Sequence, residues 1–406
     1  MIQIRRARVL LALGAFLMCA FPAAIHATPS LVEMVDAAAA RNPGMELADA
    51  ERGIAGALQR KADQPFAGNP SANVKYQTDS VGSDNGYREW EGGIDLPLWL
   101  PGQSDSYARE AERTVAVSDS ISDAKRLEVA GEVRERLWAV VIARSEAEQT
   151  QSAFAVAKSL LQDIQRRVEA GELPRSDRLL AEKELLQREE AFQLASNRVT
   201  QTERLFTRFT GLDAPRKPVL EQASKTGLNG QHPRLQLAQR HVAQAQAHRD
   251  RIRSESRRGP NLWLGAKSLK PGAGYDYDSS VGVELSMPLG NGAHSAPDLA
   301  EAESALTRAQ VELKAGLLQL EDALTQANLE LDRAKASLKQ TKRRRALAEE
   351  SLKLSRRAFH LGETDLVRLL QAQADALAAR QDEQIRQLEY GQTVARLNQA
   401  LGVIPQ

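Results

Sequence analysis

The sequence predicts a mainly helical protein with a membrane β-barrel part, built from two similar halves and completed by further copies of the chain. Three observations lead to this fold class. Long intervals without proline are rich in Ala, Leu, Gln, Glu, Arg and Lys, which is typical of long helices. Four short segments alternate apolar and polar residues, as half-buried strands do. Proline and glycine markers recur in both halves at nearly one spacing, which indicates an internal duplication.

The first 27 residues have the pattern of a secretory signal peptide. Arginines at positions 5, 6 and 8 precede an apolar run, and Ala27 ends a small-residue cleavage site. The run is too short to span a bilayer. The only cysteine, Cys19, lies in this segment, so the mature chain would have no disulfide and no thiol nucleophile. Lipid attachment at Cys19 is an alternative that the bulky Met18 disfavours.

Composition and charge favour an elongated helical body without a nucleic-acid surface. Apolar residues make up 42% of the chain but aromatic residues only 4%, fewer than a compact core of this size usually holds. The formal net charge is +1, with no block of like charge that would attract nucleic acid. We find no nucleophile motif, phosphate-binding loop or supported carboxylate pair, so we expect neither an enzyme nor a cofactor.

The first repeat, residues 28–214, reads as helix, strand, loop, strand, long helix, turn and returning helix. A helix near 32–60 precedes strands at about 70–79 and 87–98. A long helix then runs over about 103–170, and the chain returns along about 175–210. The side chains on the apolar face of the two strands are Ala72, Val74, Tyr76, Thr78, Trp90, Ile94, Leu96 and Leu98.

The second repeat, residues 232–406, follows a linker at 215–231 and has the same order. A helix near 232–258 precedes strands at about 260–269 and 279–289. The long helix of about 297–361 would measure roughly 100 Å at 1.5 Å per residue, and the chain returns over about 365–401. Its heptad seam consists of Leu313, Leu317, Leu320, Leu324, Ala327, Leu331, Ala334 and Leu338.

The equivalent positions of the two repeats lie 190 or 191 residues apart. Markers at spacing 190 are Asn42-Pro43 with His232-Pro233 and Asn69-Pro70 with Gly259-Pro260. Markers at spacing 191 are Pro97 with Pro288, Gly171 with Gly362 and Gly211 with Gly402. Five markers in register across the chain indicate duplication, whereas a single Gly or Pro match would mean little.

The strands predict a barrel that one chain cannot close. They have the length and alternation of transmembrane β-strands, and unpaired strand edges are not tolerated in lipid. Three copies would supply 12 strands and a lumen wide enough for water, so we expect a homotrimer. A soluble four-stranded sheet packed on helices is the alternative, but it leaves the long helices and the export signal unexplained.

Aromatic residues and prolines mark the ends of these strands. An aromatic girdle at the membrane interface is predicted from Tyr76, Tyr87, Trp90, Trp99 and Trp263. Proline suits a position where a strand ends and a helix begins, because it removes a ladder donor and is tolerated at a helix start. The predicted junctions between barrel and helices are Pro97, Pro101, Pro288 and Pro297.

Two motifs and the doubled plan resemble a known family. Residues 96–103 read Leu-Pro-Leu-Trp-Leu-Pro-Gly-Gln at a strand exit, and residues 362–373 read Gly-Glu-Thr-Asp-Leu-Val-Arg-Leu-Leu-Gln-Ala-Gln at a hairpin tip. From about Ser30 to Val403 the chain resembles the TolC family of outer-membrane efflux proteins, and its exit motif is most similar to the heavy-metal and cation branch. The resemblance implies a trimeric 12-stranded barrel in outer-membrane lipid and a helical tunnel through the periplasm. It also implies a periplasmic adaptor and an inner-membrane RND-type transporter as partners, with heavy-metal cations or small toxic compounds as the exported cargo.

The resemblance further implies that the periplasmic hairpin tips contact the adaptor and close the channel. The tip residues are Gly171, Glu172, Asp177, Gly362, Glu363, Asp365 and Arg368. Asp177 aligns with Arg368, so a trimer would offer charge pairs that hold the entrance closed. His241 and His248 lie seven residues apart without a third ligand, so we predict no metal site.

Two other functions stay open at this stage. One is an outer-membrane duct for type I protein secretion. The other, from a different class, is a periplasmic coiled-coil adaptor or scaffold without a pore. The adaptor would share the long hairpins, but it would not need alternating strands with aromatic residues beside them.

Overall fold

The computed structural model describes residues 29–224, 231–289 and 293–405, so the predicted signal peptide lies outside the described residues. The first repeat contains α1 (Leu31–Ala39), α2 (Glu46–Ala62), β1 (Ser71–Thr78), β2 (Arg88–Pro97), α3 (Gln103–Glu169) and α4 (Arg175–Thr210). The second contains α5 (Pro233–Glu255), β3 (Asn261–Lys270), β4 (Asp278–Ser286), α6 (Ala296–His360) and α7 (Leu366–Ala400). The predicted fold class, with four strands, long helices and a twofold repeat, is confirmed.

The sequence predicted one helix near 32–60, but the structure has two, α1 and α2. The helix breaks because Pro43 lacks an N–H group and Asn42 caps the turn that follows it, where the Gly44 N–H donates to Asn42 Oδ1 at 2.8 Å. In the second repeat, His232 occupies the position of Asn42. Its Nδ1 accepts a hydrogen bond from the Arg234 N–H at 3.2 Å, so α5 begins with the same kind of cap.

The four strands form one antiparallel sheet in the order β1-β2-β3-β4. The central pair, β2 with β3, joins the two repeats, with Arg88 opposite Lys270 and Pro97 opposite Asn261. Each repeat contributes one hairpin, and β1 and β4 form the two edges. The loop after β1 is held by Asp79, whose carboxylate accepts from the Asn85 N–H at 2.7 Å. Although burial opposes it, that bond and those from Ser83 and Tyr87 lower the pKa of Asp79.

The long helices pack side by side in the order α4, α3, α7, α6. The shorter α2 and α5 pack against α3, and α5 also contacts α6. The main core lies where α1, α3, α4 and α7 meet, around Met34, Val133, Trp138 and Phe206. Phe206 is fully buried there, so its truncation to alanine would cost about 3–5 kcal/mol.

The helices of the described ranges contain no apolar stretch long enough to cross a membrane.

Candidate functional site

The two hairpin tips end their long helices with the same turn. Gly171 and Gly362 have φ angles of 78° and 73°, in the left-handed region that favours glycine. The next N–H in each tip reaches back to a helix carbonyl: Glu172 to Arg167 at 2.9 Å and Glu363 to Ala358 at 2.9 Å. These are Schellman-type endings, so each glycine fixes the reversal of the chain.

The tips of the two repeats are packed against each other. An apolar cluster joins Ile164 and Ala181 of the first tip to Phe359, Leu366 and Leu369 of the second. The tips of the two hairpins therefore pack into one apolar cluster, called the tip unit below.

A guanidinium and a helix cap complete the tip unit. The Arg167 guanidinium lies 5.1 Å from the centre of the Phe359 ring and pairs with Glu172 at 3.1 Å. Asp365 caps α7, because its carboxylate accepts from the Arg368 N–H at 2.9 Å.

The predicted charge partners at the tips are not paired within one chain. Arg368 has an exposed side chain and Asp177 is half-buried, and among the described residues no ion pair joins them. Glu172 and Glu363 are also exposed. A charge lock would need neighbouring copies, so it stays a prediction.

The two faces of the sheet differ in chemistry. On the apolar face, Val74, Trp90, Val281, Val283 and Leu285 are exposed by 50% to 90%. On the polar face, Glu89 accepts from Lys267 at 2.8 Å and from the Tyr87 hydroxyl. The acidic residues of this face are Glu89, Glu91, Asp95, Asp278 and Glu284, and its basic residues are Lys75 and Lys267. Carboxylates therefore outnumber ammonium groups on it.

Trp263 lies on the polar face, flat against a row of glycines from three strands. A Cβ atom added at Gly93, Gly265 or Gly282 would lie 2.4, 2.2 or 2.9 Å from the indole ring. The indole Nε1–H donates to Asn73 Oδ1 at 3.3 Å. The glycines thus provide the space that this ring occupies.

The five aromatic residues predicted as a girdle do not share one surface. Tyr76 and Trp90 pack together on the apolar face, with ring centres 4.4 Å apart. Trp263 and Tyr87 lie on the opposite face because their strand positions have the other parity. Trp99 lies beyond the sheet, where its Nε1–H donates to the Gln64 carbonyl at 2.9 Å. Only the first two residues have the position that an interfacial girdle requires.

The predicted junction prolines lie where strands give way to helices. Pro97 is the last residue of β2, Pro101 precedes α3, Pro288 follows β4 and Pro297 is in the first turn of α6. Sequence reasoning missed the side chain that ties this junction together. Gln103 Nε2 donates to the carbonyl oxygens of Ser254 and Arg257 at 2.9 and 2.7 Å.

Two buried charged clusters in the helices were also missed. Arg134, 3% exposed, makes a bidentate pair with Glu221 of the linker at 2.9 and 2.8 Å. Glu110 contacts Arg251 and lies 2.9 Å from His248 Nδ1. Burial would raise the pKa of Glu110, but the hydrogen bonds from His248 and Arg251 lower it overall. Charged residues on amphipathic helices usually face water, so the sequence carried no signal for either cluster.

His248 therefore pairs with a carboxylate and is not simply solvated. In the part of the chain that the structure describes, no three His, Cys, Asp or Glu side chains are grouped to hold a metal ion.

The architecture matches those of solved outer-membrane channels. The chain is similar to the outer membrane protein VceC from Vibrio cholerae, with a TM-score of 0.71 and 16% identity over 92% of this chain and 96% of that one. The open-state MtrE channel of Neisseria gonorrhoeae gives 0.70 and 16%, over 93% and 89%. CusC gives 0.72 and 14%, over 92% of each chain. The fold is that of TolC-like channel proteins.

The family match agrees with this class. Residues 228–403 match the family described as "Outer membrane efflux protein". This match covers the second repeat, and the likeness to the solved channels extends the fold to the first repeat. A search of curated protein sequences gave no match.

Proposed function

We propose that three copies of this chain form the passive exit duct of a tripartite efflux system. The observation that carries this proposal is the sheet: one face is apolar and exposed, the other is polar, and both edges lack a partner strand within the described chain. Twelve strands from three copies would place the apolar faces in outer-membrane lipid and enclose the polar faces around water.

The hairpin tips are the proposed contact with the periplasmic adaptor, which would connect the duct to an inner-membrane RND-type transporter. The tip unit offers the exposed apolar side chains of Leu179, Leu361 and Val367, with Glu172 and Glu363 beside them. The transporter would supply the energy, and this chain would need only to provide a sealed path.

Heavy-metal and other cations are the proposed cargo. The support is the polar face of the sheet, where carboxylates outnumber ammonium groups and would give the enclosed lumen a negative potential. Cations would then be concentrated at the exit, while cargo selection would lie mainly with the transporter.

The test is purification from outer membranes in detergent, followed by light scattering and planar-bilayer recording. We expect a trimer, and a conductance that favours K⁺ over Cl⁻. Neutralising Glu91 to Gln should weaken that preference, whereas Glu148→Gln at an exposed position of α3, far from the sheet in sequence, should leave it unchanged. A monomer without detergent and without conductance would refute the duct, and an anion preference would refute only the cation cargo.

Asp177→Ala and Arg368→Ala test the tip lock in the same recordings. Exposed pairs are individually weak, so we expect more frequent openings only if several such pairs act together in the ring. Unchanged closed-state behaviour in both variants would argue against the lock.

A further inference from the structure

The indole of Trp263 lies across the middle of the polar face of the sheet. Its inner face rests on Gly93, Gly265 and Gly282, where an added Cβ atom would lie 2.2 to 2.9 Å from the ring. The side chain is still partly exposed. Because backbone covers the inner face of the ring, the part that solvent reaches is the outer face. Three copies in the proposed duct would present three such rings at one level of the lumen.

The space for this ring is specific to its place in the sheet. In the first repeat, the position equivalent to Trp263 is held by Asn73. The three glycines beneath the ring have charged residues as their counterparts in the other repeat. These counterparts are Glu284 for Gly93, Lys75 for Gly265 and Glu91 for Gly282. The duplicated plan therefore forms its strands without a ring, and the ring with its glycine floor is a feature of this one site.

A chain of hydrogen bonds holds the ring and leads to a carboxylate. The indole Nε1–H donates to Asn73 Oδ1 at 3.3 Å, and Asn73 Nδ2 donates to Asp95 Oδ2 at 2.6 Å. The other oxygen, Asp95 Oδ1, accepts from Asn261 Nδ2 at 3.0 Å. Hydrogen bonds in such a chain polarise one another. The Asp95 carboxylate therefore strengthens the acceptor that the indole uses, which increases the electron density of the ring.

Carboxylates lie beside the ring on both neighbouring strands. Asp95 is directly opposite Trp263 on β2, and Glu284 is directly opposite it on β4. Residues in such positions have Cβ atoms about 4.5–5.5 Å apart, so both side chains share the surface around the indole. The hydrogen-bond partners of Asp95 are two neutral amides, which leave its negative charge uncompensated. Glu284 is exposed on the edge strand.

The ammonium groups of the polar face lie beside other carboxylates. Lys267 pairs with Glu89 at 2.8 Å, and Lys75 lies directly opposite Glu91. Both of these lysines are therefore next to a carboxylate other than those beside the ring. A cation that approaches the ring meets an electron-rich surface with negative charge on each side of it.

We propose that Trp263, with Asp95 and Glu284, forms a transit site for organic ammonium cations on the wall of the lumen. The face of an indole attracts cations, and quaternary ammonium groups are the ligands that aromatic surfaces of this kind recognise. Mg²⁺ keeps its bound water, because it dehydrates reluctantly, so it responds to the carboxylates and not to the ring. The site rests on the proposed duct, and among the proposed cation cargo it favours organic ammonium compounds.

Planar-bilayer recording tests the site with tetrabutylammonium and Mg²⁺ as separate probes, each of which lowers the K⁺ current when it binds in the lumen. We expect Trp263→Leu to need about threefold more tetrabutylammonium for the same reduction, the factor of one exposed contact between a cation and a ring. Its response to Mg²⁺ should not change. Trp263→Phe keeps an aromatic face and should lie between the two. Trp90→Leu, on the apolar face, is the matched control and should behave as the unmodified protein does. Asp95→Asn should weaken the response to both probes.

The outcomes separate the site from the duct. A K⁺ current with the same tetrabutylammonium sensitivity in Trp263→Leu as in the unmodified protein would overturn the site and leave the duct intact. An equal loss of Mg²⁺ sensitivity, or the same loss in Trp90→Leu, would also overturn it, because the ring would then act through the shape of the lumen. No current from the unmodified protein would refute both. Light scattering checks the assembly of each variant. Where Trp263→Leu does not assemble, unchanged tetrabutylammonium sensitivity in Asp95→Asn would overturn the site.

Discussion

Loss of the Glu221 carboxylate should release the linker between the two repeats. Arg134 on α3 is almost fully buried, and Glu221 of the linker supplies its two charged contacts at 2.9 and 2.8 Å. The same carboxylate accepts from Asn398 Nδ2 at 3.1 Å. Asn398 Oδ1 in turn accepts from the Ser224 N–H at 2.9 Å. One substitution, Glu221→Gln, thus weakens the ion pair to α3 and one of the contacts to Asn398 on α7.

The free energy lost in Glu221→Gln depends on the hydrogen-bond acceptors that remain around Arg134. Breaking a buried ion pair typically costs about 3–5 kcal/mol, since a buried charge is left without its partner. Arg134 retains two neutral acceptors, Gln399 Oε1 at 2.6 Å and the Val403 carbonyl at 3.1 Å, so the lower limit applies. About 3 kcal/mol corresponds to roughly a hundredfold larger opening constant of the linker.

Hydrogen exchange followed by mass spectrometry measures that opening directly. Peptides covering 215–224 should exchange about a hundred times faster in Glu221→Gln, because local opening limits their exchange. Glu148→Gln, at an exposed position of α3, is the matched control and should change nothing. Unchanged protection of 215–224 in Glu221→Gln would show that the buried pair does not hold the linker.

Three further predictions follow from single contacts. Burial and the nearby Arg234 charge lower the pKa of His232 in the folded protein. Folding therefore favours the neutral imidazole, and this stabilisation is complete above the unfolded pKa of about 6.5 and is lost as the pH falls below it. We expect His232→Asn to make Tm decline less steeply below that pH. Gly362→Ala should destabilise the tip by about 1 kcal/mol in thermal unfolding, because φ is 73°, whereas Gly316→Ala within α6 should be neutral or stabilising. Trp263 lies on the polar face of the sheet, which would line the lumen, so Trp263→Ala should raise single-channel conductance. Trp90→Ala on the opposite, apolar face should leave the conductance unchanged. Equal effects of the two variants would contradict the assignment of the two faces.

The helices and the strands were predictable because their signals are periodic and local. Prolines and left-handed glycines mark the ends of the long helices, and strict alternation sets the two faces of each strand. The break at Pro43 was missed because the apolar pattern continues across it. Its cap depends on one side chain, Asn42, whose role is visible only when the turn is built.

Of the candidate functional residues, the sequence correctly predicted the placement of those that recur at equivalent positions in the two repeats. The tip glycines occupy matching turns, as duplicated markers at 171 and 362 implied. Trp263 was assigned to the wrong surface because clustering along the chain was used in place of strand parity. Its distance of one residue from Leu264 would have placed it on the polar face. The partners of Arg134 and Glu110 are far apart in sequence, so no local pattern could reveal them.

The two buried charged clusters of the helical part lie away from the hairpin tips. Away from the tips, the pairs of Arg134 with Glu221 and of Arg251 with Glu110 are almost buried. At the tips, the pairs of Arg166 with Asp163 and of Arg167 with Glu172 lie within one hairpin and are more exposed than these clusters. Exposed pairs contribute about 0–1 kcal/mol each, whereas breaking a buried pair costs several times more. The apolar cluster around Ile164, Phe359 and Leu366 is what joins the two tips, so removing these exposed pairs should not by itself separate them.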